Sequence, residues 1–281
     1  MFGNEDFNPI LYNAISDDQD IEIFKNIVKH NIELIDEPHP KKMYQMPIHN
    51  AAKKGCVRCI EILLSNGCQT IDTCDLAERT PLFHASKKGH VNTITTLLKL
   101  GSTSIDTPNC SSISPLCIAA SKGHIDVVRC LMHFGTTCID MKTDYLYTPV
   151  FMAAINGHCD IVELLVYLGS QTINKYNAYG YTALAEVSVK GNIGAIRTLI
   201  RCGCDLNKKM CNIDESALSL ALKNKHIECA RLLVACGATV QSHHHHTVIG
   251  HLSEDDIIAE REKVYFSRPL FTRLLVFVYF T

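Results

Sequence analysis

The residues of this sequence with the widest chemistry are its cysteines, which number 14 in a chain of 281 residues. Cys56 and Cys59 form a Cys-x-x-Cys pair, a spacing that serves metal binding or thiol redox chemistry. A four-ligand zinc site would need a second such pair, and the sequence has none. We therefore expect both residues to be reduced thiols that fill small buried spaces, like the scattered cysteines elsewhere. Reduced thiols and the lack of a signal-peptide pattern predict a cytoplasmic protein, with the nucleus as the alternative.

Histidines could supply metal ligands or general bases, and the sequence has 14 of them. Four stand in a row at His243–His246, where a metal site or an unstructured polar stretch is open, and we favour the polar stretch. No nucleophile, base and orienting group occur at a known catalytic spacing, and there is no Gly-rich phosphate loop. We therefore expect no enzyme activity, no cofactor and no metal site.

The composition is typical of a folded globular chain. Hydrophobic residues make up 47% of the sequence, and 27 Lys and Arg nearly balance 29 Asp and Glu. This apolar content excludes disorder as the main state. The even charge balance gives no excess that would draw the chain to nucleic acid or to an anionic membrane. We expect another protein as the partner, and no nucleic acid.

The positions of proline and glycine indicate which elements hold these side chains. A helix-start pattern, mostly Ser or Thr followed by Pro and an apolar residue, recurs every 34 residues and begins at residues 46, 80, 114, 148, 182 and 216. Ser and Thr are preferred N-caps, and Pro is favoured as the first helical residue. Two further series with the same period, which include Gly123 and Gly135, predict helix ends in the left-handed conformation. Each unit is therefore predicted to contain a helix, a turn, a second helix and a hairpin-like loop.

This pattern resembles the ankyrin repeat, and the residues Ser-Pro-Leu-Cys-Ile-Ala-Ala-Ser-Lys-Gly-His at 114–124 match it nearly throughout. The resemblance spans about residues 8–241 and implies an all-α ankyrin-repeat solenoid, with six repeats over 46–241. It also implies that the turn histidines serve backbone hydrogen bonds; these are His90, His124, His158 and His226. His49, at a helix start, is interpreted in the same way.

The N-terminal end departs from the repeat. Residues 1–45 are predicted to form a degenerate capping repeat, which a solenoid needs at its solvent-facing end. Two extra residues fall in the loop at 37–45, compared with the later loops. Asn31 replaces the closing glycine, and we expect a left-handed conformation there.

Residues 242–281 form a C-terminal extension outside the repeat. A helix is predicted over 254–265, and an apolar tail follows from Pro269 to Thr281. The tail is too short to span a bilayer. It either covers the end of the last repeat, continues into a longer chain, or docks on a membrane or a partner.

Positions one repeat apart stack side by side in a solenoid, so a residue type that recurs forms a line on the surface. Five lysines fall on two such lines at the end of the first helix: Lys53, Lys54, Lys87, Lys88 and Lys122. They would suit an acidic peptide or an acidic protein surface. The alternative is a solvated helix end, where lysine interacts favourably with the helix dipole.

Tyrosines gather in two adjacent loops, where burial does not require aromatic rings: Tyr145, Tyr147, Tyr176, Tyr179 and Tyr181. Tyrosine combines a large contact area with a polar group and is enriched at interface hot spots. We predict these residues as a second partner-binding group. The alternative is that the rings pack on neighbouring loops.

Together these features predict a non-catalytic protein–protein interaction adaptor that uses a concave surface of inner helices and loop tips. Asn207 lies in a Leu-x5-Asp-Leu-Asn pattern that resembles the target of the asparaginyl hydroxylase of ankyrin repeats, which predicts modification there. Residues 267–274 resemble part of a suppressor-of-cytokine-signalling box, although its Leu-Cys-Arg core is absent. A substrate-recognition subunit of a ubiquitin ligase is therefore one alternative, and the cytoplasmic ankyrin portion of a larger membrane-linked protein is another. The oligomeric state is left open.

Overall fold

The computed structural model describes residues 10–15, 21–239 and 254–265. The chain divides into two compact units, Met1–Asp144 and Tyr145–Thr281. The histidine run at 243–246 and the apolar tail lie outside the described residues, as does the segment at 267–274.

The first unit contains eight described α-helices in four consecutive pairs. They are α1 (Ile10–Ala14), α2 (Ile21–His30), α3 (Pro47–Lys54), α4 (Val57–Ser65), α5 (Pro81–Lys88), α6 (Val91–Lys99), α7 (Pro115–Lys122) and α8 (Ile125–His133). Short 3-10 turns lie at Ile32–Leu34, Ser104–Asp106 and Cys138–Asp140. Helices α1, α3, α5 and α7 pack side by side as one row, and α2, α4, α6 and α8 form a second row.

The second unit repeats this arrangement in its described part. Its helices are α9 (Pro149–Ile155), α10 (Cys159–Tyr167), α11 (Ala183–Lys190), α12 (Ile193–Arg201), α13 (Ala217–Lys223), α14 (Ile227–Ala235) and α15 (Glu254–Tyr265). Helix α15 packs on α12 and α14. In the part of the chain that the structure describes, extended pairing is limited to single bridges, so the predicted all-α class is confirmed.

Side chains at the helix starts satisfy the backbone as the sequence predicts. Thr80 Oγ1 accepts a hydrogen bond from the N–H of Phe83 at 3.1 Å. The same bond forms at Ser114, Thr148, Thr182 and Ser216. At α3, where Met46 has no such oxygen, His49 Nδ1 instead accepts the N–H of Met46 at 3.1 Å. The predicted N-caps at these Ser and Thr residues are therefore confirmed.

The turn glycines meet a packing requirement as well as a backbone one. Gly89 has φ +84°, and a Cβ atom there would lie 2.9 Å from Nδ1 of His124. His124 Nε2 lies 3.1 Å from the carbonyl oxygen of Lys87, to which it donates. His90 and His226 bond in the same way to a carbonyl oxygen of the preceding helix pair. Each histidine thus fastens one pair to the next, which agrees with the structural role expected for it.

The core lies between the two rows of helices. From α4 onward, the second helix of each pair buries two apolar side chains that recur with the repeat period. In the first unit these are Ile60, Leu63, Ile94, Leu97, Val128 and Leu131, all fully buried. Full burial of such a side chain contributes about 1.5–3 kcal/mol, so this double row supplies much of the stability of the unit.

Backbone hydrogen bonds close the hairpin-like loops and join their tips. The loop Asp75–Arg79 is closed by a bond of 3.0 Å between its end residues. The loop His39–Gln45, before α3, is closed in the same way at 2.9 Å but is longer. Leu76 N–H donates to the carbonyl oxygen of Met43 at 2.9 Å and joins the tips of these two loops.

The left-handed conformation expected at Asn31 is wrong. Asn31 has φ −136° and ψ 43°. Its side-chain Nδ2 donates to the carbonyl oxygen of Ile27 at 2.8 Å. The amide side chain therefore satisfies the end of α2, and the backbone does not need the conformation that a glycine would adopt.

The expectation of two reduced thiols at Cys56 and Cys59 is also wrong, because the structure joins them in a disulfide. Cys56 is the N-cap of α4 and Cys59 lies in its first turn, which sets their Cα atoms 5.3 Å apart, within the usual range for a disulfide. The other 12 cysteines form no disulfide.

Candidate functional site

A cleft of about 390 Å³ opens in the first unit between the loop before α3 and the C-terminal ends of α3 and α5. We call it the basic cleft, and it is lined by Lys42, Met43, Gln45, Lys53, Arg79, His84, Lys87 and Lys88. Five of these residues are Lys or Arg, and none is Asp or Glu. The cleft therefore presents a concentrated positive charge with no acidic residue in its lining.

A buried carboxylate holds the floor of the basic cleft in place. Asp75 is 4% exposed, and the Arg79 guanidinium donates to it through Nε at 2.9 Å and Nη2 at 2.8 Å. His84 Nε2 and Gln45 Nε2 lie 3.0 and 3.1 Å from the same carboxylate. Tyr12 Oη extends the network by donating to Gln45 Oε1 at 3.0 Å. These bonds fix the direction of the guanidinium before any ligand arrives.

The protonation states of this network follow from its hydrogen bonds. Burial alone would raise the pKa of Asp75, but the hydrogen bonds that it accepts outweigh burial and hold that pKa well below its usual range. Burial lowers the pKa of His84, against the opposing effect of Asp75. At neutral pH the floor therefore contains an ionised carboxylate beside a neutral imidazole.

Three of the five predicted lysines line the basic cleft, and the other two lie outside its lining. Lys53, Lys87 and Lys88 line the cleft. Lys54 Nζ instead donates to the carbonyl oxygen of Ile15 at 2.6 Å, directly after the end of α1. Lys122 lies outside the cleft lining, although its charge reaches Lys87.

Mutual repulsion is evident among the cations of this region. Burial lowers the pKa of Lys87 first, and four neighbouring charges lower it further: Arg79, Lys122, Lys88 and Lys53. Lys53, Lys87 and Lys88 form no salt bridge with any described residue. The positive charge is thus compensated at Arg79, by Asp75, and not at the three lysines.

Two of the five basic residues that line the cleft, Lys42 and Arg79, are not among the predicted binding residues. Lys42 lies in the loop before α3, which is longer than the corresponding loop Asp75–Arg79, so the repeat period carries no signal for it. Arg79 directly precedes the N-cap Thr80, at the repeat position that holds Tyr147 and Tyr181 in later units. Comparing that position across repeats would have shown the basic residue.

The predicted tyrosines of the second unit also divide. Tyr145 and Tyr179 stack with ring centroids 6.1 Å apart and planes 10° from parallel, and they are 55% and 56% exposed. We call them the tyrosine pair. Leu146, at the tip beside them, is 42% exposed. Two exposed rings and an exposed Leu form an apolar patch of the kind that partners bury.

The other three tyrosines are engaged within the unit. Tyr147 packs edge-on against Phe151, with centroids 5.0 Å apart. Tyr181 packs on a buried cluster of Ala185, Met210 and Leu220. Tyr176 Oη donates to the carbonyl oxygen of Lys209 at 2.8 Å, and Lys208 Nζ lies 4.6 Å from its ring centroid. These rings mainly stabilise the loops.

Asn207 has a structural role through its side-chain amide. Its Oδ1 accepts hydrogen bonds from N–H and Oγ1–H of Thr239, at 2.8 and 2.9 Å. Asp72 and Asp106 accept the corresponding bonds in the first unit. Asn207 thus belongs to a ladder that joins successive repeats, and its modification stays a prediction.

The described residues contain no candidate metal centre, and two of their buried thiols are unreactive. No group of three or more His, Cys, Asp or Glu in the described ranges could hold a metal ion. Burial, as the main cause, raises the pKa of Cys117 and of Cys138 to about 12, so these thiols stay protonated and unreactive. No helix found in residues 10–15, 21–239 and 254–265 has the length and apolar character to cross a membrane.

Comparisons with known proteins agree with this architecture. The family model for ankyrin repeats (3 copies) matches residues 11–109, 101–177 and 168–244. The crystal structure of the human ASB11 ankyrin repeat domain is similar at a TM-score of 0.67 and 21% identity, over 84% of this chain and 100% of that one. That likeness concerns the fold alone. A search of curated proteins finds no match.

Proposed function

Because the chain belongs to the ankyrin repeat family, whose repeats in general serve as non-catalytic protein-interaction scaffolds, we propose that it is an adaptor that binds an acidic segment of another protein in the basic cleft. The observation that carries this proposal is the lining of the cleft, with five Lys or Arg and no acidic residue. Opposite charge on a partner would steer its approach and fix its register.

The predicted lysines have different roles in this proposal. Lys53, Lys87 and Lys88 contact the acidic segment directly, and Lys122 adds to the local field. Lys54 supports α1 through its bond to the Ile15 carbonyl oxygen and is not a contact residue.

A charge-reversal experiment tests the cleft. The double variant Lys53→Glu, Lys87→Glu is compared with Lys99→Glu, an exposed lysine on α6 that lies outside the cleft lining. Partners captured from a lysate by the wild type are identified, purified and titrated against all three chains at two salt concentrations. We expect at least about a tenfold loss of affinity for the double variant, with a weaker salt dependence, and no loss for the control. Equal affinity of the wild type and the double variant would refute the cleft as the binding site.

The tyrosine pair is proposed as a further contact with the partner. Tyr145→Ala with Tyr179→Ala is matched by Tyr167→Ala, a tyrosine of α10 that is 51% exposed. Because the pair is exposed, its loss should lower affinity for the purified partner while the melting temperature changes little. If both variants bind equally well, the pair has only a local role in the loops.

Hydroxylation of Asn207 would appear as one added oxygen in the mass of its peptide from the native protein. Twelve cysteines that form no disulfide support a cytoplasmic or nuclear location, whereas the disulfide between Cys56 and Cys59 counts against it. The ubiquitin-ligase and membrane-linked alternatives depend on residues beyond 266, which lie outside the described part of the chain.

A further inference from the structure

We propose that the basic cleft binds a phosphate monoester carried on a serine or threonine side chain of the partner segment. This inference rests on the proposed function and specifies the chemistry of the bound group.

The first argument is the number of cations that converge on a small volume. A carboxylate carries one negative charge, whereas a phosphate monoester carries about −1.5 to −2 and three strong acceptor oxygens at neutral pH. Lys53, Lys87 and Lys88 form no salt bridge with described residues, and the charges crowd one another at Lys87. A dianion compensates this excess positive charge better than a carboxylate does. The volume of about 390 Å³ lies at the lower end of the range for ligand pockets and exceeds what a carboxylate alone requires.

The second argument is that the arginine is already oriented. Asp75 holds Arg79 through Nε and Nη2, while Arg79 also lines the cleft. The Asp75 carboxylate is itself buried and accepts hydrogen bonds from Arg79, His84, Gln45 and the backbone N–H of Ala77, so it is not available to a ligand. An arginine held from behind, with lysines around it, is an arrangement suited to a tetrahedral anion with several oxygens.

The third argument favours a phosphorylated side chain over a free phosphate. Exposed apolar residues continue from the cleft onto the joined loop tips. Met43, which lines the cleft, is 45% exposed, and the adjacent Tyr44 and Leu76 are 42% and 64% exposed. A free anion would leave these side chains in water, whereas apolar residues flanking a phosphoserine would bury them. The cleft and the tips together therefore fit a phosphoserine or phosphothreonine with an apolar neighbour.

The test uses two peptide libraries with randomised flanks, one around a fixed phosphoserine and one around a fixed serine. The full chain is incubated with each, and the enriched sequences are synthesised with phosphoserine, serine or glutamate at the fixed position. They are titrated against the wild type, Lys53→Gln with Lys87→Gln, Lys88→Gln alone, and Lys99→Gln as the control. Arg79 is left unchanged, because its loss would leave the buried Asp75 carboxylate without its main partner. Circular dichroism confirms that each variant keeps its fold.

We expect phosphoserine peptides to bind at least about tenfold more tightly than both the serine and the glutamate forms. This preference should disappear in the double variant, weaken with Lys88→Gln and persist in the control. Equal affinity of the three forms, no enrichment from either library, or an unchanged preference in the double variant would overturn the inference. Binding of inorganic phosphate or inositol hexakisphosphate without any peptide preference would also overturn it, since the cleft would then take small anions only.

A phosphatase treatment separates this inference from the proposed function. If the captured partner binds equally well after dephosphorylation and is still lost with Lys53→Glu, Lys87→Glu, the phosphate inference fails and the adaptor proposal stands. If neither dephosphorylation nor Lys53→Glu, Lys87→Glu weakens binding of the captured partner, the proposed binding site fails. The titrations of the peptides then decide the chemistry of the cleft.

Discussion

The turn glycines allow the stacking contact between repeats to be measured. Gly89 and Gly101 both have positive φ, at +84° and +99°. A Cβ atom on Gly89 would lie 2.9 Å from Nδ1 of His124 and 3.0 Å from its Cε1, whereas a Cβ atom on Gly101 would meet nothing within 4 Å. Substitution of each by alanine therefore imposes a backbone penalty, and only Gly89→Ala adds a clash with the next repeat.

The expected free energies follow from these contacts. An alanine in the left-handed conformation costs about 1–2 kcal/mol, and this is the whole cost at Gly101. At Gly89 the His124 ring must also move, which breaks its hydrogen bond to the Lys87 carbonyl oxygen, worth about 1 kcal/mol. Overpacking adds about 1–3 kcal/mol. Gly89→Ala should therefore lower the free energy of unfolding by at least about 2 kcal/mol more than Gly101→Ala does.

Urea unfolding followed by far-ultraviolet circular dichroism measures both costs. A third comparison repeats Gly89→Ala in a His124→Ala background, where the ring is absent. The extra cost should then fall to within about 0.5 kcal/mol of that at Gly101, as expected for independent sites. If Gly89→Ala and Gly101→Ala cost the same in the wild-type background, the histidine does not impose the glycine, and the proposed reason for the series is refuted.

Three further predictions follow from individual residues. Burial, and then the charge of His84, lower the pKa of His49 from 6.5 to about 4, so the unfolded chain binds the proton more readily. The free energy of unfolding should therefore fall by up to about 3 kcal/mol as the pH drops from 6.5 to about 4. Urea titrations at several pH values should show this slope in the wild type and a flatter one in His49→Gln. Leu146 has φ +58° at an exposed loop tip, so Leu146→Gly should raise the urea midpoint by the equivalent of about 0.5–1 kcal/mol, and a lower midpoint would show that its packing outweighs the strain. Alkylation of the denatured, unreduced chain should modify 12 of the 14 cysteines by intact mass, and modification of all 14 would exclude the disulfide between Cys56 and Cys59.

The periodic part of the fold could be predicted because each repeat position has one physical task. An oxygen before the first helix caps it, and a glycine after it provides positive φ. Lys225 shows what the period alone does not explain, because it has φ +62° where the preceding units have glycine. His226 is the last turn histidine in the sequence. No histidine ring of a following repeat therefore packs against residue 225, and a side chain with a Cβ atom is tolerated there.

The candidate surfaces could be predicted only in part, since sequence position does not tell which way a side chain is used. Tyr145 and Tyr147 differ by two residues, yet one is open at a loop tip and the other packs against Phe151. Lys53 and Lys54 are adjacent, yet one lines the cleft and the other donates to the Ile15 carbonyl oxygen. Repeat spacing identifies the line on which residues lie, and the local contacts decide which of them remain available.

The basic cleft arises where the repeat is least regular. Lysines recur in the last turns of α3, α5 and α7, but a row of lysines alone forms an open surface. Before α3, the loop His39–Gln45 is two residues longer than Asp75–Arg79, since their closing bonds join residues six and four positions apart. In this longer loop Met43 and Tyr44 both have positive φ, whereas Glu78 alone does so in Asp75–Arg79, and Lys42 and Met43 lie in the cleft lining. The later repeats thus supply most of the positive charge of the basic cleft, and the longer loop before α3 supplies one side of its lining.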